Sequence, residues 1–438
     1  MKNKQMLRRS IAPLLIGTFI YRANSGATVV VLGLLLVRTA SHHTVHAVTS
    51  LQVGLLPVAF YVAELTLSPG FGALGDRWGR RLFLIAGPLI SFIQVSLFAF
   101  TPMGDPLPYL LALQILSGLS GAMITPNVLG YLADFTVHSR AYRMRIMSFY
   151  ELVTSGGIAV GTVLGGLAWQ HLERRAFIVL GASYLLVALC MVLSPVVNQL
   201  VEYGTLRVTM ARYWRILRTP RLYIFIPAWV SIMALVGIWL SSQLTFVLSM
   251  PSHSHPHQLL MGIFSGAYAG RYISLVLGVL ALVFGLCLLF WAFFLGRLSR
   301  LRLMLNSIAG IYLACIALAG INHLGFHNLW LLLIWLPMLL LGIFAETGFA
   351  PAALAYLADI SEGSAKDRGL VMGLYSIFLG IGQILGNGLG GLFAHQFGFD
   401  GLIYLTALLA FIALVSLLWL FAYERDHGSI HAQNTTHG

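Results

Sequence analysis

Charge is what this sequence has least of. Asp, Glu, Lys and Arg together make 9% of its 438 residues, while 58% are hydrophobic; a soluble domain carries roughly a quarter charged residues. So little charge could not cover the surface of a soluble chain this long, which leaves a polytopic membrane protein. Acidic residues are the scarcer sign, 14 against 26 basic, for a formal net charge of +12. That excess does not point to nucleic acid, because the basic residues lie between apolar runs rather than along one face. Cysteine is nearly absent. Cys190, Cys287 and Cys315 each fall inside an apolar run, which excludes a disulfide framework and offers no metal-binding spacing. Phosphate-loop, H-E-x-x-H and G-x-S-x-G patterns are missing and the connections are short, which argues against nucleotide-driven work by this chain and against an enzyme.

What the sequence has is apolar runs of bilayer-spanning length. They fall at about 11–37, 46–71, 82–100, 107–132, 146–169, 175–197, 222–249, 273–295, 303–321, 328–356, 370–394 and 400–422. Backbone facing lipid must satisfy its own hydrogen bonds, so each of the twelve is expected to be helical. The first run is too long for a signal-peptide core and reads as an uncleaved span. The stretch 258–272, with Gly262, Gly266, Gly270 and Arg271, reads as an interfacial or bent approach to the eighth span. With both termini placed in the cytoplasm, 21 of the 26 Lys and Arg fall on that side and only Arg38, Arg174, Arg175 and Arg271 outside. That asymmetry sets the orientation.

Residues 72–84 concentrate what charge there is. The run Gly72-Ala-Leu-Gly-Asp76-Arg77-Trp-Gly79-Arg80-Arg81-Leu-Phe-Leu84 lies between the second and third spans. It resembles the G-x-L-x-D-R-x-G-R-R-x-x-L signature that joins helices 2 and 3 in the major facilitator superfamily, and every specified position matches. The later Gly296-Arg297-Leu298-Ser299-Arg300-Leu301-Arg302 keeps the charge but lacks the aspartate.

An internal repeat supports the same family independently. Shifted by 225 positions, residues 126–167 fall on 351–392 without a gap, and sixteen of the 42 positions are identical. The matches include Pro126/Pro351, Tyr131/Tyr356, Asp134/Asp359, Arg143/Arg368, Tyr150/Tyr375, Gly157/Gly382, Gly161/Gly386 and Gly165/Gly390. Apolar bias alone does not conserve Asp, Arg and Pro in register, so the halves are parallel repeats. The expected fold is an all-α membrane protein of twelve transmembrane helices in two six-helix pseudo-repeats. Its halves would be residues 1–197 and 222–426, with a cytoplasmic connection 198–221 and a disordered tail 427–438.

The resemblance implies a gating role for the loop signature and the repeated acid–arginine pairs: Gly72, Asp76, Arg77, Gly79, Arg80 and Arg81 with Asp134, Arg143, Asp359 and Arg368. It would set Asp76 near Arg368 at the start of helix 11, where a carboxylate is favoured by the helix N-terminus. In the fifth span, Gly157-x-x-x-Gly161-Thr162-x-x-Gly165-Gly166 is similar to an antiporter signature, with Thr162 in place of its proline; small residues at that spacing also simply let helices pack closely. In the fourth span, Gln114 stands where a related proton-transfer signature has arginine, so that residue neither titrates nor clamps an anion.

Charge inside a span is costly and points to function. Arg22 lies about 11 residues into the first span, roughly 16 Å along it at 1.5 Å per residue. Glu64 lies in the second span, Glu151 in the fifth and Glu346 in the middle of the tenth. In the family's fold, Arg22 and Glu346 would line a central cavity, the carboxylate loading and releasing a proton as its hydration changes. Arg22 could instead form a static pair with Glu64 or Glu151. Asn24, Gln114, Gln243, Thr125, Asn127 and Asn387 add polar groups at similar depth, and Tyr21, Trp229, Trp239 and Trp335 could form cavity walls. The loop histidines His42, His43, His46, His253, His255 and His257 have no acidic or cysteine partners nearby and read as solvated, so no metal is expected.

These residues predict a secondary transporter of the plasma membrane, multi-pass, working by alternating access on a small-molecule substrate. It would need no cofactor, be driven by a proton gradient and function as a monomer without nucleic acid. Proton-coupled efflux of a small organic molecule or drug is the favoured reading, with uptake or facilitated transport of a metabolite or anion as the alternative.

Overall fold

The computed structural model describes residues 2–42, 48–102, 104–135, 140–194, 218–250, 255–266, 268–294, 299–324, 329–360 and 368–435. They form helices α1 (Lys2–His42), α2 (Ser50–Trp78), α3 (Arg80–Leu97), α4 (Leu107–Phe135), α5 (Arg140–Leu172), α6 (Ala176–Leu193), α7 (Pro220–Trp239), α8 (Ser242–Ser249), α9 (Ala269–Phe294), α10 (Arg300–Leu324), α11 (Leu329–Glu346), α12 (Phe349–Ile360), α13 (Arg368–Phe397) and α14 (Phe399–Thr435). Among the described residues, eleven helical windows are long and apolar enough to cross a membrane. One of them, Leu152–Leu193, is 42 residues long and holds both α5 and α6 across a 3-10 turn. The twelve expected spans are therefore present. Two are divided: the seventh into α7 and α8, the tenth into α11 and α12. α14 stays helical to Thr435, where a disordered tail is expected from residue 427; no proline interrupts it, and the one glycine between 427 and 435, Gly428, costs a helix only about 1 kcal/mol.

Packing groups the chain into two units. One comprises residues 1–202, 241–251 and 262–282, the other 203–240, 252–261 and 283–438. In the first unit α1 packs on α5 and α6, α2 on α4, α3 on α4 and α6, and α8 on α1 and α2. In the second, α7 packs on α13 and α14, and α10 on α11, α12 and α14.

The repeat visible in the sequence is a repeat of crossings. Cβ atoms added to Gly157, Gly161 and Gly165 of α5 would strike the backbone of α1 at Phe19, Ala23 and Ala27. Gly26 of α1 has the same relation to Ile158 of α5. In the other unit, Gly382 and Gly386 of α13 would strike Val230 and Ala234 of α7, and Gly237 of α7 lies against Gln383. Glycine at each point lets two backbones approach more closely than any side chain permits. This packing function accounts for the glycines of the antiporter-like pattern.

The signature between the second and third spans is no loop. α2 runs through Trp78, Gly79 turns with φ 98°, and α3 begins at Arg80. A positive φ of that size favours glycine. Gly75 allows contact with Asn127 of α4, which any Cβ would block, whereas a Cβ on Gly72 would stand 3.6 Å from Pro126 Cβ, in ordinary contact.

Candidate functional site

The first unit builds a charged cleft from four helices, α1, α2, α4 and α5. Arg22 projects from α1, where its stem lies over Gly157: a Cβ there would come within 2.9 Å of Arg22 Cβ. Its guanidinium hydrogen-bonds the Tyr150 hydroxyl on α5 and sits 6.0 Å from the centroid of the Tyr21 ring. Tyr150 itself is buried, at 6% exposure. Glu64 projects from α2 toward α4. Thr125 Oγ1 donates to Glu64 Oε1 at 3.3 Å, and a Cβ at Gly121 would stand 3.1 Å from that oxygen. Arg22 and Glu64 lie within each other's electrostatic field, yet no ion pair joins them. Both groups of the cleft are partly accessible. The static Arg22–Glu64 pair allowed by the sequence is therefore not formed, while the side chain of Glu151 lies outside the described residues.

Around the cleft, neutral hydroxyls hold the frame. Tyr21 hydrogen-bonds Ser91 and Ser120, which meet each other at 2.6 Å, and Ser120 donates to Gly87 O at 2.8 Å. Tyr21 and Tyr184 pack edge-on, as do Phe60 and Tyr61.

The second unit holds a lone carboxylate at a break. Glu346 ends α11, and Thr347 and Gly348 separate it from α12. The cause lies four residues on. Pro351 has no N–H for the carbonyl of Thr347 and its ring crowds that turn; within the first turn of α12 the missing donor costs nothing. Gly348 N turns to Ala345 O at 3.2 Å, which frees Phe344 O. That carbonyl is recaptured by Trp291 Nε1 at 2.7 Å and Thr347 Oγ1 at 2.8 Å. Glu346 itself is partly accessible and has no hydrogen-bond or ion-pair partner among the described residues; Cys315 on α10 lies within its electrostatic field. Irregular backbone of this kind at membrane depth occurs where it is enclosed by protein or lines a cavity.

Other expected site residues sit elsewhere. Asn24 is buried and accepts from Ser183 Oγ at 2.7 Å, joining α1 to α6. Gln243 is wholly buried on α8, with neither end of its amide meeting a protein partner among the described residues. Gln114 is partly accessible on α4. Trp229 packs against Phe225 and Phe349, and Trp239 donates to Thr406 at 3.0 Å; these are packing roles. Arg80 is buried against Gly130, Arg81 donates to Val192 O at 3.0 Å, and Arg77 is exposed. The side chains of Asp76, Asp134, Arg143, Asp359 and Arg368 lie outside the described residues. Among those described, no group of three His, Cys, Asp or Glu is arranged to hold a metal ion. Tyr150 and Trp291 were not singled out as site residues. Tyr150 carried a signal, as one of the residues identical between repeats; an indole capping a carbonyl leaves none.

Residues 14–272 and 260–437 match the profile of the Major Facilitator Superfamily. The chain belongs to that superfamily. This transporter is also similar to Multidrug resistance protein 1 of Bacillus subtilis (strain 168), 30% identical over 142 residues that make 32% of this chain and 35% of that protein. Quinolone resistance protein NorA of Staphylococcus aureus (strain Mu50 / ATCC 700699) is 28% identical over 135 residues, 31% of this chain and 33% of the relative. The chain thus spans about a third of the length of these curated relatives. The crystal structure of nucleoside transporter NupG superposes with a TM-score of 0.70 over 94% of this chain and 98% of that one, at 15% identity, a likeness of fold. The chain is a multi-pass membrane protein of the Major Facilitator Superfamily.

Proposed function

We propose that this transporter expels small organic molecules in exchange for protons and that Glu346 carries the proton. One observation supports this above the rest: a partly accessible carboxylate without a partner among the described residues, at a break in an otherwise apolar span. A carboxylate so placed is costly when charged and dry, and affordable when protonated or hydrated. Cycling between those conditions couples proton release to the change of access. The names of the two bacterial relatives, a multidrug and a quinolone resistance protein, favour efflux of drug-like molecules. The repeated pairs Asp134/Arg143 and Asp359/Arg368, with Asp76 and Arg77, are proposed to stabilise one state of the cycle through charge-assisted hydrogen bonds.

The test is transport by purified protein in proteoliposomes under an imposed pH gradient, with internal pH recorded against cationic dyes and small organic acids. Wild type is expected to exchange protons for substrate, and Glu346→Gln to stop both fluxes. Substrate flux indifferent to the gradient and unchanged in Glu346→Gln would overturn the reading.

A further inference from the structure

The geometry points to a zwitterion-binding cleft in the first unit: Arg22 and Glu64 receive opposite ends of one ligand, an aromatic molecule carrying a carboxylate and a protonated amine. The inference names the substrate class for the transport proposed above and rests on that reading only for the ligand's being cargo.

Three observations carry it. First, the two charges are near but not joined, and each is restrained by a different neutral hydroxyl, Tyr150 for Arg22 and Thr125 for Glu64. Opposite charges in a poorly screened interior attract strongly, so a separation maintained by two clamps leaves both groups turned toward something other than each other. Second, among the described residues both are incompletely satisfied. A guanidinium has five N–H donors in a planar fork and a carboxylate about four acceptor positions; the side-chain partners described here are one hydroxyl apiece. Third, the surroundings of the pair are aromatic, and α4 comes close to Glu64 at a glycine. Gly121 presents no side chain to Glu64. Tyr21 lies beside the guanidinium, and the edge-packed Phe60 and Tyr61 stand one turn before Glu64 on α2.

A carboxylate end matches the fork of Arg22 bidentately, and an ammonium end completes Glu64. A singly charged ligand would complete one group and leave a net charge in the cleft. Selectivity should therefore favour the zwitterion over either parent ion.

The experiment measures equilibrium binding to detergent-purified full-length protein, with no gradient present, so it can succeed even where proton coupling fails. The probes are phenylalanine and 4-(piperazin-1-yl)benzoate, two aromatic zwitterions of different charge separation. Each is compared with its methyl ester, a cation, and its N-acetyl derivative, an anion. At least one zwitterion is expected to bind at least tenfold more tightly than both of its derivatives. Arg22→Gln should weaken the zwitterion and the anion at least tenfold and spare the ester. Glu64→Gln should weaken the zwitterion and the ester and spare the anion. If either variant fails to fold, Arg22→Lys, which keeps the charge and loses the fork, and Thr125→Val, which removes the clamp on Glu64, provide the same two contrasts at smaller size. Binding of the ester as tight as that of its zwitterion, indifference of all ligands to the Arg22 and Glu64 variants, or no binding by any probe would each overturn the proposal.

Discussion

The fourth and tenth spans are the same stretch of sequence twice, and they fold differently. Pro126 and Pro351 occupy matching places, yet α4 runs unbroken through its proline while the tenth span separates into α11 and α12. The residues just before the proline decide it. Where α4 has Gly118 and Gly121, the repeat has Ile343 and Glu346. The glycines let α2 press against α4 on the near side of the proline, with Ala63 2.7 Å from where a Gly118 Cβ would be, and Asn127 secures the far side by donating to Met123 O at 2.7 Å. The tenth span has Gly348 where α4 has Met123, and its loosened carbonyl is caught by Trp291 instead. A proline in a membrane helix thus sets where a break can occur; packing around it sets whether one does. The carboxylates follow the same division. In the first unit Glu64 arrives from α2 and lies against Gly121; in the second Glu346 occupies the position matching Gly121 itself.

The comparison can be broken most forcefully at Gly118. Gly118→Ile copies the tenth-span residue into α4, where its Cβ would run into the backbone of Phe60. The expected cost is about 3 kcal/mol or more, seen as loss of the monodisperse peak in detergent chromatography, whereas Ile343→Gly should leave folded protein in good yield. Next in size, Pro351→Ala returns a donor to the carbonyl of Thr347. Amide exchange at residues 347–350 should slow at least tenfold, equivalent to about 1.4 kcal/mol, and transport should fall as the break closes. Pro126→Ala, in the span that never broke, should leave exchange near Ala122 within a factor of about three; equal slowing at both sites would show that packing does not discriminate them. Trp291→Phe removes the indole donor to Phe344 O and should lower unfolding stability by about 1 kcal/mol, measured by thermal unfolding in detergent. The smallest effect distinguishes the repeated arginines. Arg80 is buried against Gly130, while Arg300 donates to the matching Ala355 O at 3.2 Å from a less buried position. Arg80→Lys should cost more than Arg300→Lys, by about 0.5 kcal/mol.

Much of the architecture was legible without coordinates, because lipid imposes length and hydropathy on every crossing. The spans and the register of Gly157, Gly161 and Gly165 with Gly382, Gly386 and Gly390 could be read directly. The divisions at Leu240–Ser241 and Thr347–Gly348 could not, since hydropathy records what faces lipid and is blind to whether the hydrogen-bond ladder continues. Intramembrane charge singled out Arg22, Glu64 and Glu346, which the structure sets between packed helices and at a helix break. The rotation of each helix was not encoded in any run of residues, so Asn24 appeared as a cavity group when it faces α6, and Tyr150 went unnoticed beside Arg22.

Gly79 carries a last consequence. One residue joins α2 to α3, so the pair has no slack, and a displacement of the far end of α2 must be delivered to α3 as tilt instead of being absorbed in a flexible connection. The joint behaves as a pivot in a linkage. Lengthening it by even a few residues would decouple its two arms while leaving each arm's composition, charge and helicity untouched.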